Sequence, residues 1–160
     1  MIELNKIQQR NLLILARKTI AQRLGIDFDS GTLDFSDEIF KEKCGAFVTL
    51  HINGNLRGCI GYIEGVHTIP DTIREMAIAA AFRDPRFAPL SKGEYKLIDI
   101  EISILSPIER VDSIDDIVVG RDGLIITRGF NRGLLLPQVP VEQGWDRETF
   151  LTHTCFKAGL

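Results

Sequence analysis

Apolar and polar positions along this chain repeat with two different periods, and the changes of period mark its elements. Between residues 3 and 24, Leu13, Ala16, Ile20 and Leu24 recur at helical spacing, and Gly25 supplies the stop. Residues 26–43 are rich in Asp and Glu and read as a surface loop. Within it "SDEIF" predicts a short helical turn near Ser36, with acids in its first turn. "AFVTLHI" (46–52) reads as a strand, "NGN" (53–55) as a hairpin turn, and "LRGCIGYI" (56–63) as the returning strand.

A second helix opens at Thr68, with Asp71 completing a capping-box-like pair. Ile69, Ile73, Met76, Ala77, Ala80 and Ala81 form its apolar face. Pro85 disfavours helical geometry at Asp84 and ends it. "SKGEY" reads as a turn or a short helix start. Residues 97–105 alternate, with Ile98, Ile100, Ile102 and Ile104 on a buried face and Asp99, Glu101 and Ser103 on the other. Short strands between glycine-rich turns follow over 118–137. The last segment is a helix capped by Asp146, stapled by Trp145 and Phe150 and ended at Gly159. Helices mix with hairpins without regular strand–helix–strand alternation. The fold class is therefore α+β, an antiparallel sheet packed with helices.

The length of 160 residues fits one domain over 1–160, with room for two subdomains. The net charge of -3 argues against a general attraction to nucleic acid or to an anionic membrane. Cys44, Cys59 and Cys155 are odd in number and far apart, which suits reduced thiols in a cytoplasmic protein. Arg17 and Lys18 interrupt the first apolar run, so it reads neither as a signal peptide nor as a membrane span.

The candidate chemistry centres on "LRGCIG". In a regular strand Arg57, Cys59, Gly61 and Ile63 share one face, and Leu56, Gly58, Ile60 and Tyr62 the other. Arg57 then stands beside Cys59 and lowers a thiol pKa that is otherwise about 8.5. Backbone amides around Gly58 and Gly61 could receive an oxyanion. The competing reading is a thiol that fills space among glycines kept for close packing. In "RDPRF", Arg83, Asp84 and Arg86 form either an anion clamp or a set of caps and surface ion pairs. Glu101 is a general base or a solvated residue on an open sheet face. His51, His67 and His153 show no metal-ligand spacing, so neither a metal nor a cofactor is expected, although His153 is a conceivable base for Cys59. Arg121, Arg128 and Arg132 near Phe130 would be the basic patch of a nucleic-acid binder.

The blocks "GAFVTLHINGNLRGCIG", "DPRF", "EISIL", "LLPQV", "GWDRETFL" and "KAGL" occur in the order seen in the AMMECR domain family, which the chain resembles from Cys44 to Leu160. The resemblance implies two lobes with a cleft between them. It also implies a role beside a Memo-like protein and a radical-SAM protein in an AmmeMemoRadiSam-type system. The signature falls on Leu56, Arg57, Gly58, Cys59, Ile60 and Gly61, and the second block on Asp84, Arg86 and Phe87. Similar chains run on past "KAGL" for another strand-like segment, so the resemblance implies that this part of the family pattern is missing after Leu160. The first expectation is a protein that takes a small molecule or a modified residue at "LRGCIG". Cys59 would be its nucleophile or covalent carrier, with Arg57, Asp84 and Arg86 as its binding groups. The alternatives are a non-catalytic scaffold module and, against the acidity, a nucleic-acid binder.

Overall fold

The structure, a computed structural model, describes residues 2–160. Two compact units share the chain, residues 2–108 and residues 109–160.

The first unit opens with α1 (Lys6–Leu24). Asn5 accepts the N–H of Gln8 while the Gln8 side chain accepts the N–H of Asn5, and Gly25 ends the helix in the left-handed region. The buried stripe is Leu12, Leu15, Ala16 and Ile20; Leu13 is exposed. Ala16 and Ile20 are buried as expected and Leu24 packs against the core, so Leu13 alone departs from the expected face. Five consecutive apolar residues, 12–16, leave the choice between Leu12 and Leu13 to packing. A 3-10 turn at Glu38–Lys41 follows, and its cap is Asp37 rather than Ser36.

β1 (Ala46–Ile52) and β2 (Asn55–Tyr62) form the expected hairpin. Asn53 and Gly54 both have positive φ, as the tightest hairpin turn requires. α2 (Ile69–Phe82) buries the expected face of Ile69, Ile73, Met76, Ala77, Ala80 and Ala81. Its start differs from the expected cap: the Thr68 hydroxyl donates to Asp71 at 3.1 Å and accepts no backbone N–H. Pro70 in the first turn removes one donor that would otherwise need a cap. α3 (Lys92–Tyr95) is one turn closed by a Ser91–Glu94 capping box.

β3 (Ile98–Ile104) completes an antiparallel sheet of order β2-β1-β3. One sheet face, with Ala46, Val48 and Leu50 at its centre, joins α1 and α2 in a single core. The other face carries Thr49, Cys59, Glu101 and Ser103. This polar face is not open to water: Thr49 and Ser103 are buried and Glu101 is half-buried.

The second unit pairs β4 (Leu124–Arg128) with β5 (Asn131–Leu135), followed by α4 (Gln138–Gln143) and α5 (Arg147–Lys157). Asp146 caps α5 by accepting the N–H of Thr149. Ile117, Leu124 and Phe150 form the core, with Trp145 packed on it as the staple predicts. Among the described residues no helix is long and apolar enough to cross a membrane.

Candidate functional site

β2 has a neighbour on one side only, so its far edge would present bare N–H and C=O groups. At Cys59 the segment leaving α2 takes both. Asp84 Oδ2 accepts the Cys59 N–H at 3.0 Å, and Arg86 Nη2 donates to the Cys59 carbonyl at 3.4 Å. The turn that brings them there is dictated locally. Pro85 fixes one φ, Asp84 Oδ1 accepts the N–H of Arg86 at 3.1 Å, and the Phe87 N–H returns to the Asp84 carbonyl at 3.1 Å.

Asp84 and Arg86 also lock each other. Arg86 Nε reaches Oδ1 at 3.0 Å and Nη2 reaches Oδ2 at 2.8 Å, a two-pronged pair. The Asp84 side chain is only 2% exposed, whereas that of Arg86 is 54% exposed. The guanidinium holds the Asp84 carboxyl far below the usual carboxylate range, with help from the Cys59 N–H and against the effect of burial. None of these bonds uses Arg86 Nη1. A buried carboxylate thus pins a cation whose outer edge faces water.

The Cys59 thiol is half-buried and lies 3.1 Å from the Thr49 hydroxyl on the facing strand. Burial pushes its pKa up. The Thr49 hydrogen bond and the Arg86 charge pull the other way, and Asp84 and Glu101 push up again. The thiol is therefore protonated at neutral pH.

Arg57 is not the cation beside Cys59, and this corrects the expectation from strict alternation. Leu50 faces Gly58 and the next residue, His51, faces Leu56, so Arg57 is an extra residue in the ladder. Such a bulge re-aims the side chain. Leu56 joins the face of Cys59, and Arg57 turns to Glu94, with Nε–Oε2 at 2.7 Å and Nη2–Oε1 at 3.1 Å. Arg57 Nη2 also donates to the Ala88 carbonyl at 2.7 Å. Arg57 draws the Glu94 carboxyl down to about 2, and the Ser91 capping bonds add to this. The Phe87 ring lies 5.7 Å from the Arg57 guanidinium and 5.5 Å from that of Arg86, so it contacts both cations.

Both glycines are close-packed, and a Cβ at Gly61 would strike the Ala46 carbonyl and the Phe47 ring. A Cβ at Gly58 would strike the Ala80 carbonyl of α2, so Gly58 is buried and sets how closely helix and strand approach. It offers no open amide to an anion. Gly61 lies on the Cys59 face opposite Phe47 and is half-buried. The structure thus gathers Cys59, Asp84 and Arg86, with Arg57 joined to them through Phe87. Thr49, Phe87 and Glu94 complete the arrangement and carried no assigned role in the sequence. Ser91–Glu94 is legible as a capping signature, but nothing in the spacing links Glu94 to Arg57.

The other candidates are accounted for separately. In the unit 109–160, His153 stacks on Trp145 with centroids 3.9 Å apart and meets Phe156 edge-on. Arg121 is paired with Asp122 at 2.8 Å, which removes it from a basic patch with Arg128 and Arg132. Among the described residues no group of three His, Cys, Asp or Glu could hold a metal ion.

The chain as a whole is similar to known proteins. The AMMECR1 family model matches residues 13–160. A protein of Methanothermobacter thermautotrophicus is 47% identical over 163 residues, covering 98% of this chain and 85% of that protein. One of Sulfurisphaera tokodaii is 45% identical over 172 residues, covering 99% of this chain and 75% of that protein. The crystal structure of an uncharacterized protein from Pyrococcus horikoshii superimposes with a TM-score of 0.81 at 40% identity, covering 93% of this chain and 78% of that one. The chain belongs to the AMMECR1 family.

Proposed function

We propose that this protein binds a small molecule bearing an anionic group at the outer edge of β2, with Arg86 as the receiving cation and Cys59 as the adjoining thiol. One observation carries the reading. Arg86 is oriented by a buried carboxylate and by the Cys59 carbonyl, yet remains 54% exposed with Nη1 unused. Arginine held in a fixed plane suits carboxylate or phosphate oxygens. Orientation before binding also lowers the entropy cost of capture.

The protonated thiol favours binding over a resting nucleophile. A neutral Cys59 does not repel an anion and can donate a weak hydrogen bond to it. Any thiolate chemistry would need a base once the ligand is seated, and Glu101 is near enough to act on the thiol's charge. On this reading the protein works as a cytoplasmic component of an AmmeMemoRadiSam-type system, with Memo-like and radical-SAM proteins as its proposed partners. The same neutral thiol also favours a second reading, in which this edge docks a protein partner without catalysis.

The test is an NMR titration of the whole chain with inorganic phosphate and with malonate. Saturable shifts centred on Cys59, Arg86 and Phe87, lost in Arg86→Gln, are expected. Shifts elsewhere only, or shifts that persist in Arg86→Gln, would overturn the reading.

A further inference from the structure

Hydrogen bonds along β2 show which of its backbone groups face away from β1. The N–H and C=O of Cys59 both go to the "DPRF" segment, so both point outward. Backbone groups alternate in direction along a strand, and the pairing with β1 is regular from Gly58 to Tyr62. The N–H and C=O of Gly61 therefore point outward as well. Among the described residues neither has a partner on that side.

The cover at Cys59 extends in one direction only. Arg57 donates to the Ala88 carbonyl and Phe87 contacts its guanidinium, so the chain after Arg86 leads toward Arg57. Gly61 lies on the other side of Cys59, keeps part of its surface open and has no side chain to guard its edge. An unpaired strand edge takes up an extended peptide through main-chain hydrogen bonds. Gly61 and Cys59 stand about 7 Å apart along the strand. A peptide residue paired with Gly61 and followed by one more residue therefore brings a terminal carboxylate level with Cys59. Arg86 stands at that level with Nη1 unused. An anion without peptide groups would satisfy Arg86 and leave the Gly61 edge bare.

We propose that β2 receives the C-terminal end of an extended peptide as an added antiparallel strand, with the terminal carboxylate on Arg86. The Gly61 N–H donates to the carbonyl of the penultimate peptide residue, and the Gly61 carbonyl accepts that residue's N–H. The peptide site rests on the reading of Arg86 as the receiving cation and names the class of anion it takes.

The probes are N-acetyl-trialanine, its C-terminal amide and acetate, each titrated into the whole isotope-labelled chain and followed by NMR. With the free acid, saturable shifts at Cys59, Gly61, Arg86 and Phe87 are expected, and hydrogen exchange at the Gly61 amide should slow. Acetate is expected to bind about tenfold more weakly and to leave Gly61 exchange unchanged. The C-terminal amide, a peptide N-methylated at its penultimate residue and the variant Arg86→Gln are each expected to lose about tenfold in peptide affinity. If acetate and malonate bind at Arg86 while the peptide binds no tighter and leaves Gly61 exchange unchanged, the peptide site is overturned and the anion site stands. Equal binding by the N-methylated peptide would overturn the peptide site as well. If neither the peptide nor the simple anions bind at Arg86, both fall.

Discussion

The carboxylate of Asp84 accepts the backbone N–H of Cys59 at 3.0 Å, so the "DPRF" turn stands where another strand would pair with β2. Arg86 completes the substitution at the Cys59 carbonyl. The segments "LRGCIG" and "DPRF", joined between residues 25 apart in the chain, are thereby one structural device. One supplies a strand edge with a thiol. The other covers that edge and leaves a cation in front of it.

If Asp84 covers the edge, its loss orphans the Cys59 N–H and releases Arg86. Asp84→Ala is expected to destabilise the protein by about 1–3 kcal/mol, the usual cost of a buried polar group left without its partner. Urea unfolding followed by circular dichroism measures this. An unchanged midpoint would mean that the turn is held by other contacts.

Acid dependence follows from two carboxylates. Glu94 titrates at about 2 against an ordinary value of 4.5, and Asp84 lies below its ordinary 3.8. Both bind protons more weakly folded than unfolded. Their stabilisation is therefore complete above about pH 4.5 and is lost as pH falls through the lower folded values. Unfolding free energy measured from pH 6 downward should be level with respect to these groups and then drop. Glu94→Gln should show a shallower drop, and an equal slope in both proteins would contradict the assignment.

The two arginines should separate cleanly at the thiol. Arg86 lowers the Cys59 pKa against the effect of burial, so Arg86→Gln should move the Cys59 titration further up. Arg57→Lys breaks the two-pronged contact with Glu94 and should cost stability, about 1–3 kcal/mol, while leaving that titration in place. The pH dependence of Cys59 alkylation, read by mass spectrometry, decides between them. A shift in Arg57→Lys equal to that in Arg86→Gln would restore Arg57 as a neighbour of the thiol.

Gly58 tests the packing role of the motif. Gly58→Ala places a methyl against the Ala80 carbonyl, which is backbone and cannot rotate away. A loss of about 1–3 kcal/mol is expected from overpacking, measured by thermal unfolding. Wild-type stability would show that α2 moves off the sheet at little cost.

Much of the fold was legible because its signals are local. Asn53–Gly54, Gly25, Asp146 and the face of α2 each declare their role within a few residues. The site was legible only as a list. A regular register counted from the hairpin turn would set Thr49 opposite Gly58, and the bulge at Arg57 moves Cys59 into that place. Period-2 reasoning therefore put the wrong arginine beside the thiol. The right one comes from a turn 27 residues on, and only tertiary packing of α2 brings it there. In α1 only Leu13 departs from the expected face, since the apolar run 12–16 does not by itself reveal which leucine meets the core.

If a fixed cation at Arg86 draws anions to Cys59, an anionic alkylating agent should gain on a neutral one at that thiol. The same thiolate attacks iodoacetate and iodoacetamide, displacing iodide from each, but the two reagents differ in charge. A higher iodoacetate-to-iodoacetamide rate ratio is expected at Cys59 than at Cys155 in the same protein. That ratio should fall about fivefold in Arg86→Gln, corresponding to about 1 kcal/mol of surface electrostatics. An equal ratio at both cysteines, unmoved by the substitution, would contradict it.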